Sequence, residues 1–242
     1  MQVIRIENLT KKYKDVVAVN NLSLTIEEGE LFSLLGVNGA GKTTTIKMLS
    51  CLTKPTSGDA FLDGKSIIND TTSVKSIIAV SPQETAIAKG LSSYENLELM
   101  CGIYGFSKEK TNDKIEELTE LLDLKSVINK KAGKLSGGWQ RRLSIAMALI
   151  SEPKILFLDE PTLGLDVIVR SELWNLIKSL KGKITIVLTT HYMEEAEALS
   201  DRIAIMKDGK ILICDTPDAI KSQTNEDSIE KAFINIVRGN TK

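Results

Sequence analysis

Cysteine, histidine and proline are all scarce in this 242-residue chain, at three, one and five copies. Cys51, Cys101 and Cys214 are odd in number, far apart and without a Cys-x-x-Cys pair, which argues against a disulfide framework and a zinc site. They are expected to be reduced and mostly packed. Neither sign of charge dominates: 31 Lys and Arg face 32 Asp and Glu. No overall basic field is therefore available to recruit nucleic acid or an anionic membrane surface, and no nucleic-acid partner is expected. Long apolar runs are missing too. Nothing approaches the roughly 18 uncharged apolar residues of a membrane span, and even the run from Leu143 to Ile150 stops at Ser151-Glu152. The opening Met1-Gln2-Val3-Ile4-Arg5-Ile6-Glu7 alternates apolar and polar residues rather than showing the basic and apolar regions of a secretory leader. The chain is expected to stay in the cytosol and to act at a membrane only through a partner.

What is present is ordinary globular composition, 42% hydrophobic and 26% charged, at a length that suits one large domain or a domain with a subdomain. Within it, Gly36-Val37-Asn38-Gly39-Ala40-Gly41-Lys42-Thr43-Thr44 fits the phosphate-cradling pattern of a glycine, four residues, then Gly-Lys-Ser/Thr. It follows the apolar Leu31-Phe32-Ser33-Leu34-Leu35 and precedes Thr45-Ile46-Lys47-Met48-Leu49, the strand, tight turn and helix that the motif requires. In that context the glycines let backbone N–H groups wrap a phosphate, Lys42 supplies a charge to the outer phosphates, and the Thr43 hydroxyl is placed for Mg²⁺. The stretch predicts a nucleoside-triphosphate site.

Upstream, three short β-type runs at residues 3–6, 16–19 and 22–26 predict an antiparallel layer. Tyr13 lies in the polar link between the first two, where its ring either packs or stacks on a base. Downstream, Ala60-Phe61-Leu62 runs into Asp63-Gly64, a hairpin signal. From Ser92 to Ile150 the period becomes helical, with stripes at Leu97, Met100, Cys101 and Tyr104, at Ile115, Leu118 and Leu122, and at Leu143, Ala146, Met147 and Ile150. Strand character returns at Lys154-Ile155-Leu156-Phe157-Leu158 and at Ile184-Thr185-Ile186-Val187-Leu188, separated by a helix with Leu173, Leu176, Ile177 and Leu180 on one face. A second Asp-Gly hairpin at Asp208-Gly209 and two short helical pieces close the chain. Such alternation predicts an α/β fold with a mainly parallel sheet, whose ligand edge lies at the carboxyl ends of the strands. Gly36, Gln83, Asp159 and His191 all follow strands at that edge.

Asp159 ends an apolar strand, where it can complete the Mg²⁺ shell opposite Thr43, and the adjacent Glu160 can accept a proton from an attacking water. Two solvated acids at a strand end are the plainer alternative. His191 is the chain's one histidine, and Gln83 is either a polar strand terminus or a side chain that reaches the metal or the water. Leu135-Ser136-Gly137-Gly138-Trp139-Gln140 opens another helix. There Ser136 is a good N-cap and the glycines permit close approach, so the stretch is either a capped helix or a second anion site.

Taken in order, Tyr13, the stretch from Gly36 to Thr44, Gln83, Leu135 to Gln140, Ile155 to Glu160, Leu163 to Asp166 and His191 resemble the nucleotide-binding subunit of an ATP-binding cassette (ABC) transporter over nearly the whole chain. The segments Ser93-Tyr94-Glu95-Asn96-Leu97-Glu98 and His191-Tyr192-Met193-Glu194-Glu195-Ala196-Glu197-Ala198-Leu199-Ser200-Asp201 resemble the ABC-2-type exporter branch. The resemblance implies a P-loop NTPase (RecA-like) core at residues 1–85 and 152–221 that includes the antiparallel layer. It also implies an inserted helical subdomain at residues 86–151 and a short tail at 222–242. ATP and Mg²⁺ would be bound, with Tyr13 on adenine, Gln83 in the Q-loop, Glu160 as general base, His191 as switch histidine and Asp166 in the D-loop. Leu135, Ser136, Gly137, Gly138 and Gln140 would close in trans over ATP held by a second cassette, the same chain or a related one. A separate transmembrane permease would then be driven, more in export than import, from its cytoplasmic face. Three positions depart from the commonest pattern: Val37 in the P-loop, Trp139 after the two glycines and Leu163 in the D-loop. The rivals are a soluble, non-transport ABC switch and a P-loop kinase or GTPase. The latter leaves residues 135–140 unexplained.

Overall fold

The computed structural model describes residues 1–239. Its N-terminus forms two 12-residue strands, β1 (Gln2–Tyr13) and β2 (Val16–Glu27). The runs at 16–19 and 22–26 are therefore one strand rather than two. Asn8 and Asn21, each with φ of 51°, sit where the β1–β2 register slips. Asparagine tolerates the left-handed region, so a polar pair that looks like a turn is absorbed as a bulge.

The chain continues through β3 (Leu31–Leu35), α1 (Lys42–Leu49), β4 (Ser57–Leu62), β5 (Lys65–Ser66), a one-turn α2 (Thr71–Lys75) and β6 (Ile78–Ser81). Three helices follow: α3 (Ser93–Ile103), α4 (Lys108–Leu121) and α5 (Gly137–Leu149). Then come β7 (Ile155–Asp159), α6 (Val167–Leu180), β8 (Thr185–Thr190), α7 (Met193–Leu199), β9 (Arg202–Lys207), β10 (Lys210–Asp215), α8 (Pro217–Thr224) and α9 (Ile229–Arg238). β4 and β5 are joined by Asp63 and Gly64, at φ of 50° and 75°, as a two-residue primed turn demands.

Two sheets result. One is antiparallel, ordered β2-β1-β4-β5; the other is ordered β10-β9-β3-β8-β7-β6, parallel except for the edge strand β10. The central strands β3, β7 and β8 are buried along their whole length, as a sheet covered on both faces requires. Their residues alternate between two cores. Phe32, Leu34, Phe157 and Val187 pack with α1 and the antiparallel sheet, while Leu31, Leu156, Leu158, Ile186 and Leu188 join the core shared with α3 to α6. The helical stripes are buried, with Met100 and Met147 half-buried, except at one end: Tyr104 is 48% exposed, because α3 stops at Ile103 and the next residue leaves the period. Cys101 is buried, Cys51 and Cys214 are half-buried, and all three are free thiols. Among the described residues no helix is long and apolar enough to cross a membrane.

Because β3, β6, β7 and β8 run in parallel in one sheet, the residues that follow them, Gly36, Gln83, Glu160 and His191, emerge along a single edge.

Candidate nucleotide site

The turn after β3 ends at Gly41, which precedes α1 with φ of 106°. A Cβ there would lie 2.5 Å from the Ala18 carbonyl oxygen, so conformation and contact with the β1–β2 hairpin both demand glycine. The Lys42 ammonium curls back into this turn, donating to the carbonyls of Gly36 at 2.8 Å and Val37 at 3.3 Å, and lies 3.4 Å from Glu160 Oε1. Both partners of that ion pair are buried.

The two carboxylates divide the work. Asp159 Oδ1 accepts from the Thr43 hydroxyl at 3.1 Å and from Thr189 at 2.5 Å, so it belongs to a hydroxyl cluster. Glu160 lies one residue beyond β7 with φ of 48°, a strained conformation that cants its side chain away from Asp159's course, and its N–H is fixed by Thr189. Its Oε2 is 3.1 Å from His191 Nδ1. One carboxylate therefore bridges the P-loop lysine and the histidine that follows β8.

Asn38, Gly39, Ala40, Gly41, Lys42, Thr43, Thr44, Gln83, Glu160 and His191 share the lining of a cavity of about 650 Å³ with Leu163, Val16, Val17, Ala18 and Asp208. The last four escape sequence reasoning. Val16 and Val17 read as ordinary strand residues, yet they are 64% and 38% exposed; their only signal is apolar exposure, visible after folding. Tyr13 is not on this wall. It pairs with Val16 in the hairpin, is half exposed, and carries Lys11 Nζ 4.9 Å over its ring. Gly36 is buried beneath the turn and contributes its carbonyl to Lys42.

None of residues 135–140 lines that cavity. A second one, of about 420 Å³, is lined by Gly137, Gln140, Arg141, Leu163, Gly164 and Leu165 together with Gln83, which thus faces both. Ser136 occupies the N-cap position of α5 but makes no capping hydrogen bond, whereas Ser92, Ser107, Thr216 and Ser228 all cap their helices. Leu135 is core, and Gln140 Nε2 donates back to the Leu135 carbonyl at 2.9 Å. Asp166 caps α6 through the N–H groups of Ile168 and Val169. Gly138 has a structural task that its sequence reading as a ligand-approach glycine misses: a Cβ there would fall 2.3 Å from Val169 Cγ1 of α6. Gly138→Ala should destabilise the fold by about 1–3 kcal/mol through overpacking, and the double variant with Val169→Ala should recover most of it, as read by urea denaturation.

Two further groups escape the sequence. Arg141 is buried, and its Nη1 and Nη2 donate at 2.6 Å to the carbonyls of Pro82 and Gln83. Burial lowers its pKa from the ordinary value, opposed by Asp159 and Glu195. Glu195 on α7 is wholly buried; Oε1 accepts from Thr162 at 2.8 Å and Trp174 Nε1 at 3.0 Å, and Oε2 has no hydrogen-bond partner among the described residues. Burial pushes this carboxyl above its ordinary range. A carboxyl so raised opposes folding once pH exceeds its unfolded value, and the penalty vanishes below it. Glu195→Gln should therefore raise the thermal midpoint at neutral pH, with the gain shrinking as pH falls into the ordinary glutamate range.

A phosphate-binding turn at the carboxyl edge of a parallel sheet, with a hydroxyl-bound aspartate and a glutamate held by the P-loop lysine, defines a nucleotide-hydrolysing P-loop protein. The comparisons narrow the class. A family model described as ABC transporter matches residues 19–163. The chain is 38% identical to the probable multidrug ABC transporter ATP-binding protein YbhF of Escherichia coli, aligning 97% of itself with 42% of that protein. It is 37% identical to the daunorubicin resistance ATP-binding protein DrrA3 of Streptomyces coeruleorubidus, across 94% of this chain and 72% of the other. It is 40% identical to Nod factor export ATP-binding protein I of Burkholderia lata, across 94% and 75%. The dimeric, post-hydrolysis structure of the ATP-binding cassette MJ0796 bound to ADP and Pi superposes with a TM-score of 0.78 at 31% identity, across 88% of this chain and 98% of that one. The chain belongs to the ABC transporter family, as one of its ATP-binding, ATP-hydrolysing domains.

Proposed function

We propose that this chain powers the export of a substrate through a separate membrane-spanning permease, as one of two cassettes that close head to tail over ATP. The observation that carries the dimer is the separation of the two phosphate-binding elements: no residue of 135–140 lines the chain's own P-loop cavity, and the start of α5, with its uncapped Ser136, lines a neighbouring cavity through Gly137 and Gln140. It is then free for a nucleotide on another subunit, a homodimeric or heterodimeric partner. The name of the Nod factor export protein supports export. Since the chain spans less than half the length of YbhF, that protein's activity as a whole is an analogy only.

In this reading Asn38 to Thr44 cradle the phosphates and Lys42 neutralises them, while Tyr13 lies at the adenine end. Glu160 takes the proton of the attacking water, oriented by His191 and Gln83. The donor set suits Mg²⁺. Among the described residues no cluster of three or more His, Cys, Asp or Glu could hold a metal, but an ion that takes most of its ligands from phosphate and water needs only Thr43, Asp159 and Gln83. Bound there, Mg²⁺ would neutralise phosphate charge. The division into a core (1–85 and 152–221), a helical subdomain (86–151) and a tail (222–242) supplies the moving parts. The permease would dock in a groove of about 420 Å³ beside the Gln83 loop, lined by Leu52, Pro82, Ala86, Met100, Tyr104 and Met147 among others. That would hold the cassette on the cytoplasmic face of the membrane.

Cross-linking at Leu52 or Tyr104 in native membranes, followed by purification, should capture an integral membrane protein with several spans. Recovery of only soluble partners would favour the soluble-switch alternative.

A further inference from the structure

Arg141 is a buried cation without a carboxylate partner. It is 5% exposed, and among the described residues it makes no ion pair, whereas the adjacent Arg142 pairs with Asp123 and Glu172. Taking a guanidinium out of water is costly unless its donors are met. Here the planar fork is met by two consecutive main-chain carbonyls, Pro82 and Gln83, each at 2.6 Å. Those carbonyls belong to the segment that leaves β6 without regular structure, and the Gln83 side chain lines both the P-loop cavity and the cavity at the start of α5. Arg141 lies about one turn into α5 from Gly137, close enough to move with that helix end as a rigid piece. The α5 N-terminus and Gln83 are thus fastened to each other through one side chain.

We propose that Arg141 is a positioning residue that couples the two nucleotide sites of the closed dimer. Seating of the partner-held nucleotide on the α5 N-terminus shifts the guanidinium, which carries the Gln83 main chain and sets the Gln83 amide against the nucleotide on the chain's own P-loop. The coupling rests on the head-to-tail dimer proposed above. Its consequence is positive cooperativity that runs through the backbone of residues 82–83.

The test measures ATP hydrolysis by the full chain against ATP concentration for wild type, R141K and R141M. Dimerisation is read separately, by size-exclusion chromatography of Glu160→Gln with ATP. Lysine keeps the charge but has no planar fork to span both carbonyls. Wild type should give a Hill coefficient approaching about two. In R141K it should fall toward about one and kcat should drop about tenfold, with affinity for a fluorescent ATP analogue within about twofold and only a modest fall in the melting midpoint from the lost hydrogen bond. R141M should lose more of both, and R141K alone decides the matter if R141M fails to fold. Cooperativity and kcat unchanged in R141K, with ATP-dependent dimers present, would overturn the coupling alone. So would an R141K that melts early and loses affinity in proportion to kcat, since that is what mere packing predicts. Failure to dimerise, with a hyperbolic wild type, would overturn the dimer and the coupling together.

Discussion

Glu160→Gln is expected to leave ATP binding nearly intact and to slow hydrolysis by about 10³-fold, the scale of a general base in a positioned site. The amide keeps the volume of the carboxyl and its bond to His191, which stands 3.1 Å away. Lys42 retains the carbonyls of Gly36 and Val37, so the phosphate cradle is not dismantled. What disappears is the ability to take a proton from water. Binding without turnover should trap the two cassettes closed on ATP, visible as an ATP-dependent dimer that persists for many wild-type turnover times. Near-normal single-turnover hydrolysis by this variant would falsify the assignment of Glu160 as base and shift attention to His191.

Much of the fold was legible because its signals are local. Short, mostly apolar runs such as Leu31 to Leu35 and Ile155 to Leu158 can only be buried strands or short pieces of buried helix, and the glycine-rich turn and the Asp-Glu step arbitrate between these. The same signals put Gly36, Gln83, Asp159 and His191 on one edge from the sequence alone. What escaped is what depends on packing between distant segments. Gly138 read as a ligand-approach glycine, but its missing side chain makes room for Val169 from another helix. Arg141 and Arg142 are adjacent and identical in type; only the tertiary fold turns Arg142 toward Asp123 and Glu172 and Arg141 onto the carbonyls of residues 82 and 83. Glu195 stands beside Glu194, and nothing local separates the buried acid from the exposed one. The long bent hairpin was missed for a related reason: Asn8 and Asn21 are turn formers by residue type and bulge formers by context.

Mixing two inactive variants should restore activity, which is the sharpest consequence of splitting the phosphate-binding elements between chains. Lys42→Ala removes the buried ammonium that is bonded to the P-loop carbonyls and placed for the phosphates, so its own P-loop should lose at least about tenfold in ATP affinity. Its α5 N-terminus is untouched. Ser136→Arg places a bulky cation at that N-terminus, on an exposed residue whose hydroxyl makes no cap and whose replacement the fold should tolerate. Its P-loop is untouched. Each variant alone has two defective composite sites per dimer, but a mixed dimer has one site with an intact P-loop and an intact opposing helix end. Random pairing at equal amounts makes half the dimers mixed, each with one of two sites, so about a quarter of the wild-type rate is expected if the sites act independently. Less than that, but above either variant alone, is the outcome if the sites are coupled through Arg141. Should demonstrably mixed dimers hydrolyse ATP no faster than the two parents, the nucleotide would have to be completed within a single chain, and the closed head-to-tail dimer would no longer explain why residues 135–140 stay off the lining of the chain's own P-loop cavity.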